Sequence, residues 1–353
     1  MTLYDAVSDL PLEIESYDLS HPERDTSSGF TRTTTVVSLY GDGIRGRGED
    51  VTYDGEAHYA LRDAEEPFEL AGEYTLDSFS ETLSGIDLFF ETSPEQSAFR
   101  NYRRWAFESA AMDLALRQAR TNLADRLDRS YDPVRFVVST RLGEPPTADR
   151  IEEWLRRDPD LEFKLDPTPE WTEELVDRLA ATGAVRTLDL KGHYEGTDVD
   201  VAADPDLYER MIQGFPDALI EDPAMTDETR PLFEGREERV TWDYPICGVE
   251  SVESLPWQPE WLNVKPSRFG SVRSLFETIE YCRKRGIDCY GGGQFELDVG
   301  REHLHALASL FYPDAPNDVA PAGYNDPEPD DDLPSSPLSP PDAPEGLSWD
   351  SNK

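Results

Sequence analysis

Three carboxylates in this chain each close a short apolar run. Asp189 follows Val185-Arg186-Thr187-Leu188, Glu221 follows Ala218-Leu219-Ile220, and Asp243 follows Arg239-Val240-Thr241-Trp242. Hard oxygen ligands converging from three successive strands suit Mg²⁺, with Mn²⁺ as the alternative, because such an ion keeps its other octahedral positions for water or substrate. The chain has only five lysines, and three of them, Lys164, Lys191 and Lys265, also fall at ends of predicted strands. A lysine desolvated beside positive charge gives up its proton more readily, and its neutral amine can then take one from carbon. Lys265 is assigned that general-base role. Each residue alone has a plainer reading, since a strand-end acid often caps a helix and a strand-end lysine often pairs with a surface acid. The joint pattern over successive strands carries the chemistry.

Residues of this kind meet only if the strands bearing them run side by side. After about residue 133, short apolar runs occupy 135–139, 161–165, 185–190, 218–220, 239–242, 261–264 and 287–290, with starts about 20 to 35 residues apart. That interval holds one strand and one crossover helix, and apolar strands without clean alternation fit a parallel sheet covered on both faces. Seven such units predict an α/β fold, a (β/α)7β TIM-like barrel, whose chemistry sits at the C-terminal ends of its strands. An open doubly wound sheet is the competing arrangement, but no Gly-rich phosphate loop follows the first strand.

The region before the barrel reads as α+β. Residues 31–40 are rich in β-branched side chains and end at Gly41-Asp42-Gly43, after which 44–51 continue as the second arm of an antiparallel hairpin. From 102 to 127, apolar residues recur at helical spacing. The expected organisation is an α+β domain over 1–132, the barrel over 133–321 and an acidic, Pro-rich tail over 322–353, extended or packed on the first domain.

Composition narrows the partners. Against 33 Lys and Arg stand 74 Asp and Glu, a formal net charge of −41, which repels nucleic acid and anionic membranes. Apolar runs and 10% aromatic residues argue against disorder, so the charge reads as a solvating coat, as in a salt-rich, halophilic cytoplasm. Cys247, Cys282 and Cys289 form neither a disulfide framework nor a zinc motif. No apolar stretch approaches the roughly 18 residues that span a bilayer, and no signal peptide is evident, so a cytoplasmic, soluble protein is expected.

Several segments resemble the enolase superfamily over nearly the whole chain. Gly46-Arg47-Gly48-Glu49 resembles its glycine-rich hairpin and 106–113 its characteristic N-terminal helix. Ile220-Glu221-Asp222-Pro223 resembles its metal motif, Asn263-Val264-Lys265-Pro266-Ser267-Arg268 its base-bearing sixth strand, and Gly291-Gly292-Gly293-Gln294-Phe295-Glu296 its Gly-Gly-Met-x-Glu segment. The likeness is closer to the muconate-lactonizing and o-succinylbenzoate synthase branch than to mandelate racemase or enolase. It implies that the first domain caps the barrel and that Asp189, Glu221 and Asp243 hold Mg²⁺. It further implies that a proton alpha to a small carboxylate substrate is removed through an enediolate, with Gln294 and Glu296 on the substrate side, and that the protein is a homo-oligomer.

The sequence departs from the family at two places. Where the second strand usually ends Lys-x-Lys, this chain has Lys164-Leu165-Asp166, and where Asp-x-Asn is usual it has Asp189-Leu190-Lys191. Asp166 cannot simply inherit the role of a lysine, so Lys191 is expected either to pair with Asp166 or to replace the missing amine. Elimination or isomerisation is thereby favoured over racemisation. The alternatives are o-succinylbenzoate synthase itself, or a degenerate relative that binds metal and ligand without turnover.

Overall fold

The computed structural model describes residues 2–64, 67–90, 93–194 and 201–349. Its N-terminal domain is built around the helix Ala98–Gln118, which is buried on nearly every side. Residues 105–116 are buried in an unbroken run, Glu108 and Asp113 included, so the helix must be enclosed by other elements. Here the enclosure is the antiparallel sheet of Ser16–Ser20, Thr35–Gly41 and Ile44–Asp50. Gly46 and Gly48, two residues apart and so on one face of their strand, lie directly on the helix. A Cβ at position 48 would stand 2.0 Å from the Ala106 carbonyl oxygen, and one at 46 would stand 2.3 Å from the Leu114 nitrogen. The hairpin turn uses Asp42 and Gly43, both at positive φ, the backbone twist that two-residue hairpins favour.

Two expected elements are interrupted. The run 31–40 is two strands, since Thr31–Thr33 pairs with Glu23–Asp25 while Thr35–Gly41 pairs with its own hairpin partner. Thr34 is the break: its N–H donates to the Pro22 carbonyl and its hydroxyl to Glu49. The helix expected over 102–127 stops at Gln118, passes through Arg120 at positive φ, and restarts as Leu123–Arg126 capped by Asn122.

The barrel strands are Val138–Thr140, Phe163–Leu165, Val185–Asp189, Leu219–Glu221, Val240–Trp242, Trp261–Val264 and Asp288–Gly291. They are parallel and ordered as in the chain. Residues 317–318 lie between the last strand and the first: the Val137 N–H donates to the Asn317 carbonyl at 2.8 Å, and the Asp318 N–H to the Gly291 carbonyl at 2.7 Å. The curled sheet is thus bridged where its ends meet. The tail beyond is extended and pinned, Leu338 pairing with Val134 and Gly346 with Asn122, with Leu347 fully buried. Among the described residues no helix is long and apolar enough to cross a membrane.

The glycine contact yields a stability prediction. Gly48→Ala should cost about 1–3 kcal/mol through overpacking against the helix, measured by urea unfolding. Wild-type stability in that variant would mean that the hairpin can lift from the helix freely.

Candidate active site

Strand register brings the expected acids to one end of the barrel. Asp189 stands opposite Glu221, and Glu221 opposite Thr241, so Asp243 follows two residues further along the same face. All three are fully buried. The neighbouring Asp222 takes φ +48, ending its strand, and its two carboxylate oxygens accept the N–H groups of Asp243 at 2.9 Å and Tyr244 at 2.8 Å. Oxygens of Asp189, Glu221 and Asp222 all lie within 4.8 Å of one another, the one such acid group among the described residues. The close trio therefore contains Asp222 where Asp243 was expected. Asp243 stands at its edge, 2.9 Å from Lys265 Nζ and 3.2 Å from Arg268 Nε, with the Tyr194 hydroxyl donating to it at 3.0 Å.

The three strand-end lysines converge on these acids. Lys164 Nζ donates to Glu221 and lies 3.3 Å from Asp189 and 3.2 Å from Asp318. Lys191, at φ +55, contacts Asp189 and stands 3.7 Å from Asp166, which Arg141 approaches at 3.5 Å. Lys265 faces Asp243 from the sixth strand's end. The exchanged positions Asp166 and Lys191 are thus neighbours in space.

Electrostatics divides the groups. Burial alone would lower the Lys164 ammonium, but Glu221, Asp318 and Asp189 outweigh it and hold the lysine well above its usual range. At Asp189 burial is outweighed by Lys191 and Lys164, and at Asp243 by Arg268 and Lys265, so both carboxyls are depressed. Asp222 goes the other way: burial, with Asp243 and Asp189 nearby, pushes it up to about 7. Asp189, Glu221, Asp222, Asp243 and Asp318 face Lys164, Lys191, Lys265 and Arg268, leaving acids in excess. Asn263 adds to this, its Nδ2 donating to Glu221 at 3.3 Å while its buried Oδ1 has no hydrogen-bond partner. Burial, with Asp189 and Asp243 nearby, likewise pushes Glu221 up to about 8, and a buried set of oxygen donors whose carboxyls resist ionisation beside one another fits a divalent cation that would compensate them.

The residues after the seventh strand behave differently. Gln294 is buried under the N-terminal domain, its side chain accepting from the Tyr53 hydroxyl at 3.1 Å and donating to the Tyr102 hydroxyl at 3.2 Å. Glu296 folds back on its own loop, accepting the Gln294 N–H and pairing with Arg301 at 3.1 Å. Neither belongs to the carboxylate cluster. Sequence reasoning missed Tyr194, Tyr290, whose hydroxyl donates to Glu221, and Asp318. Tyr194 follows a strand end and carried a signal; Asp318 sits in a pairing too short for any periodicity to reveal. Glu195 and Gly196, which follow Tyr194 in the sequence, lie outside the described residues.

Residues 5–126 match the N-terminal domain, and 130–326 the C-terminal domain, of a family described as a domain of unknown function, DUF8230. The chain belongs to that family. The DUF8230 chain is also 25% identical over 222 residues to an o-succinylbenzoate synthase of Bacillus subtilis, a match covering 60% of this chain and 57% of that enzyme's length. An enolase-superfamily protein from Listeria innocua superposes with a TM-score of 0.66 at 19% identity, covering 88% of this chain and 86% of the other. Muconate lactonizing enzyme from Pseudomonas putida gives 0.64 at 18%, covering 87% and 88%. The DUF8230 chain has the enolase-superfamily fold, a curled parallel sheet with a separate N-terminal domain.

Because Asp222 is bonded to the backbone that carries Asp243, it can act on a metal by aiming its neighbours. Asp222→Ala should weaken Mn²⁺ or Mg²⁺ binding by about 10- to 100-fold, the usual effect of removing an orienting group, as read by calorimetric titration. Undiminished affinity would separate Asp222 from the metal centre.

Proposed function

We propose that this DUF8230 protein is a divalent-metal-dependent enzyme that removes a proton alpha to a substrate carboxylate, giving an enediolate that goes on to elimination or isomerisation. The observation that carries the reading is the buried cluster of carboxylates at the strand ends, with Lys164 bonded within it and Lys265 at its edge. Asp189, Glu221 and Asp243 would hold the ion, with Asp222 orienting Asp243. When bound, Mg²⁺ or Mn²⁺ supplies positive charge against the negative charge that develops on the substrate carboxylate.

The protein's own groups account for the remainder. Lys265, whose Nζ stands 2.9 Å from Asp243 at the end of the sixth strand, takes the proton from the substrate carbon. Arg268, held by Asp243, the Tyr194 hydroxyl and the Tyr244 carbonyl, keeps Asp243 ionised and fixes its plane. Lys164 remains an ammonium among three acids and offers charge to the intermediate. Lys191, beside Asp166, stands in for the amine that Lys-x-Lys would supply and returns a proton or assists a leaving group. Gln294 contacts the part of the substrate remote from the reacting carbon, and Glu296 supports it by accepting its backbone N–H.

A second reading, o-succinylbenzoate synthase activity, is favoured by the similarity to the Bacillus subtilis enzyme and by Lys265-Pro266-Ser267-Arg268. Binding without turnover is the reading that full ion pairing of Lys164 supports.

The test is exchange of substrate α-hydrogen into D₂O at high salt with Mg²⁺, over a carboxylate library that includes dipeptides, sugar acids and the succinylbenzoate precursor. Lys265→Ala should reduce exchange by about 10²- to 10⁴-fold, the span of general-base catalysis. Lys191→Ala should abolish product formation while metal affinity stays within about twofold of wild type, since the lysine is no ligand; full turnover in that variant would remove Lys191 from the mechanism. Bound metal with no exchange from any acid would favour the non-catalytic reading.

A further inference from the structure

The N-terminal domain meets the barrel at residues 292–300, which leave the seventh strand and enter the helix Val299–Phe311. Two buried charged side chains of the N-terminal domain grip this segment. Glu49 accepts the N–H groups of Leu297 at 2.7 Å, Asp298 at 3.1 Å and Gly300 at 2.8 Å, as well as the Thr34 hydroxyl at 2.7 Å. The first N–H groups of a helix have no partner within it, and a carboxylate there also meets the positive end of the helix dipole. Arg32 donates only to backbone carbonyls: Val51 and Thr52 in its own domain, Gln294 at 3.1 Å and Phe295 at 3.4 Å in the segment.

The other end of the segment reaches the reacting groups. Gly292 packs so closely on the sixth strand's residues that a Cβ there would stand 2.3 Å from Asn263 Oδ1 and 2.8 Å from Lys265 Cε. Between these ends Phe295 adopts φ +56, a costly conformation for a residue with a Cβ, which persists only where the surroundings enforce it. Burying an ionised carboxylate and a guanidinium costs more than apolar packing of the same area would. In return the two ions fix main-chain positions that apolar packing would leave free to slide.

We propose that Glu49 and Arg32 are positioning residues: through residues 292–300 they hold Gly292 against Lys265, so that the N-terminal domain sets the wall beside the proton-accepting amine. The functional half of this rests on the role given to Lys265 above. The structural half does not.

Amide hydrogen exchange, followed by mass spectrometry on the full chain, tests it. In Glu49→Gln, peptides over 292–302 should exchange at least about tenfold faster, while peptides over the sixth strand stay as protected as in wild type, the pattern of a local opening. If that variant does not fold, Gly300→Ala carries the same test, because its methyl group would crowd the Glu49 carboxylate and Glu296 Cγ, each 2.8 Å away, without removing either. Unchanged exchange at 292–302, or uniform acceleration over the whole chain, overturns the proposal. No substrate enters this measurement, so its outcome is separate from that of the α-hydrogen assay. Where that assay is positive, Glu49→Gln should lower kcat about tenfold with metal affinity unchanged, and an unaltered kcat would sink the functional half.

Discussion

A carboxylate taken out of water must receive a counter-charge, a set of N–H donors or a proton, and this chain buries four, Asp189, Glu221, Asp222 and Asp243, around one end of its barrel, with Asp318 half-buried beside them. That constraint organises the site. Lys164, Lys191, Lys265 and Arg268 supply positive charge from the second, third and sixth strands and the turn after the sixth. Backbone N–H groups answer Asp222, and amide and hydroxyl groups from Asn263 and Tyr290 answer Glu221. Apart from Lys191 and Asp189, which are two residues apart, acid and partner come from different strands or loops, so most of the charge compensation requires the barrel to be formed. Local stability of the mouth and readiness for chemistry are then one requirement.

The same constraint explains where the chain uses lysine. A surface coated with Asp and Glu has little need of compensation, being solvated and screened, and tolerates a strong excess of negative charge. The interior does not. Three of five lysines stand among buried carboxylates, and the exchange of Asp166 for Lys and of Lys191 for Asn relative to the family pattern keeps a cation near Asp189. The substitutions are neighbours in space although they lie on different strands, which is how a charge can migrate across a mouth without upsetting its balance.

The N-terminal domain follows a different logic. Its helix Ala98–Gln118 is enclosed by a hairpin that approaches through glycine, and the same strand that carries Gly46 and Gly48 delivers Glu49 to the barrel. Close packing in the domain thus fixes the height at which a buried ion reaches its neighbour. The pairing at 317–318 completes the circuit from the other side, bringing Asp318 to Lys164.

Much of this was legible in the linear chain, because periodicity and strand-end residues report what each element must bury. The seven strands, the hairpin and the acids Asp189, Glu221 and Asp243 were all expected from apolar runs and what terminates them. The interruptions at Thr34 and after Gln118 were not, since each is caused by a partner distant in sequence, Glu49 in one case and the tail at Gly346 in the other. Nor could a sequence choose between Asp222 and Asp243 as the closest companion of Asp189 and Glu221. Adjacent strand residues point to opposite faces, and only the turn of the backbone at Asp222, φ +48, brings its carboxylate back to the cluster. Sequence determined which residues stand at the barrel's mouth. Tertiary structure decided which atoms touch there, because register, backbone turns and the grip of a second domain act over a few ångströms that no linear spacing encodes.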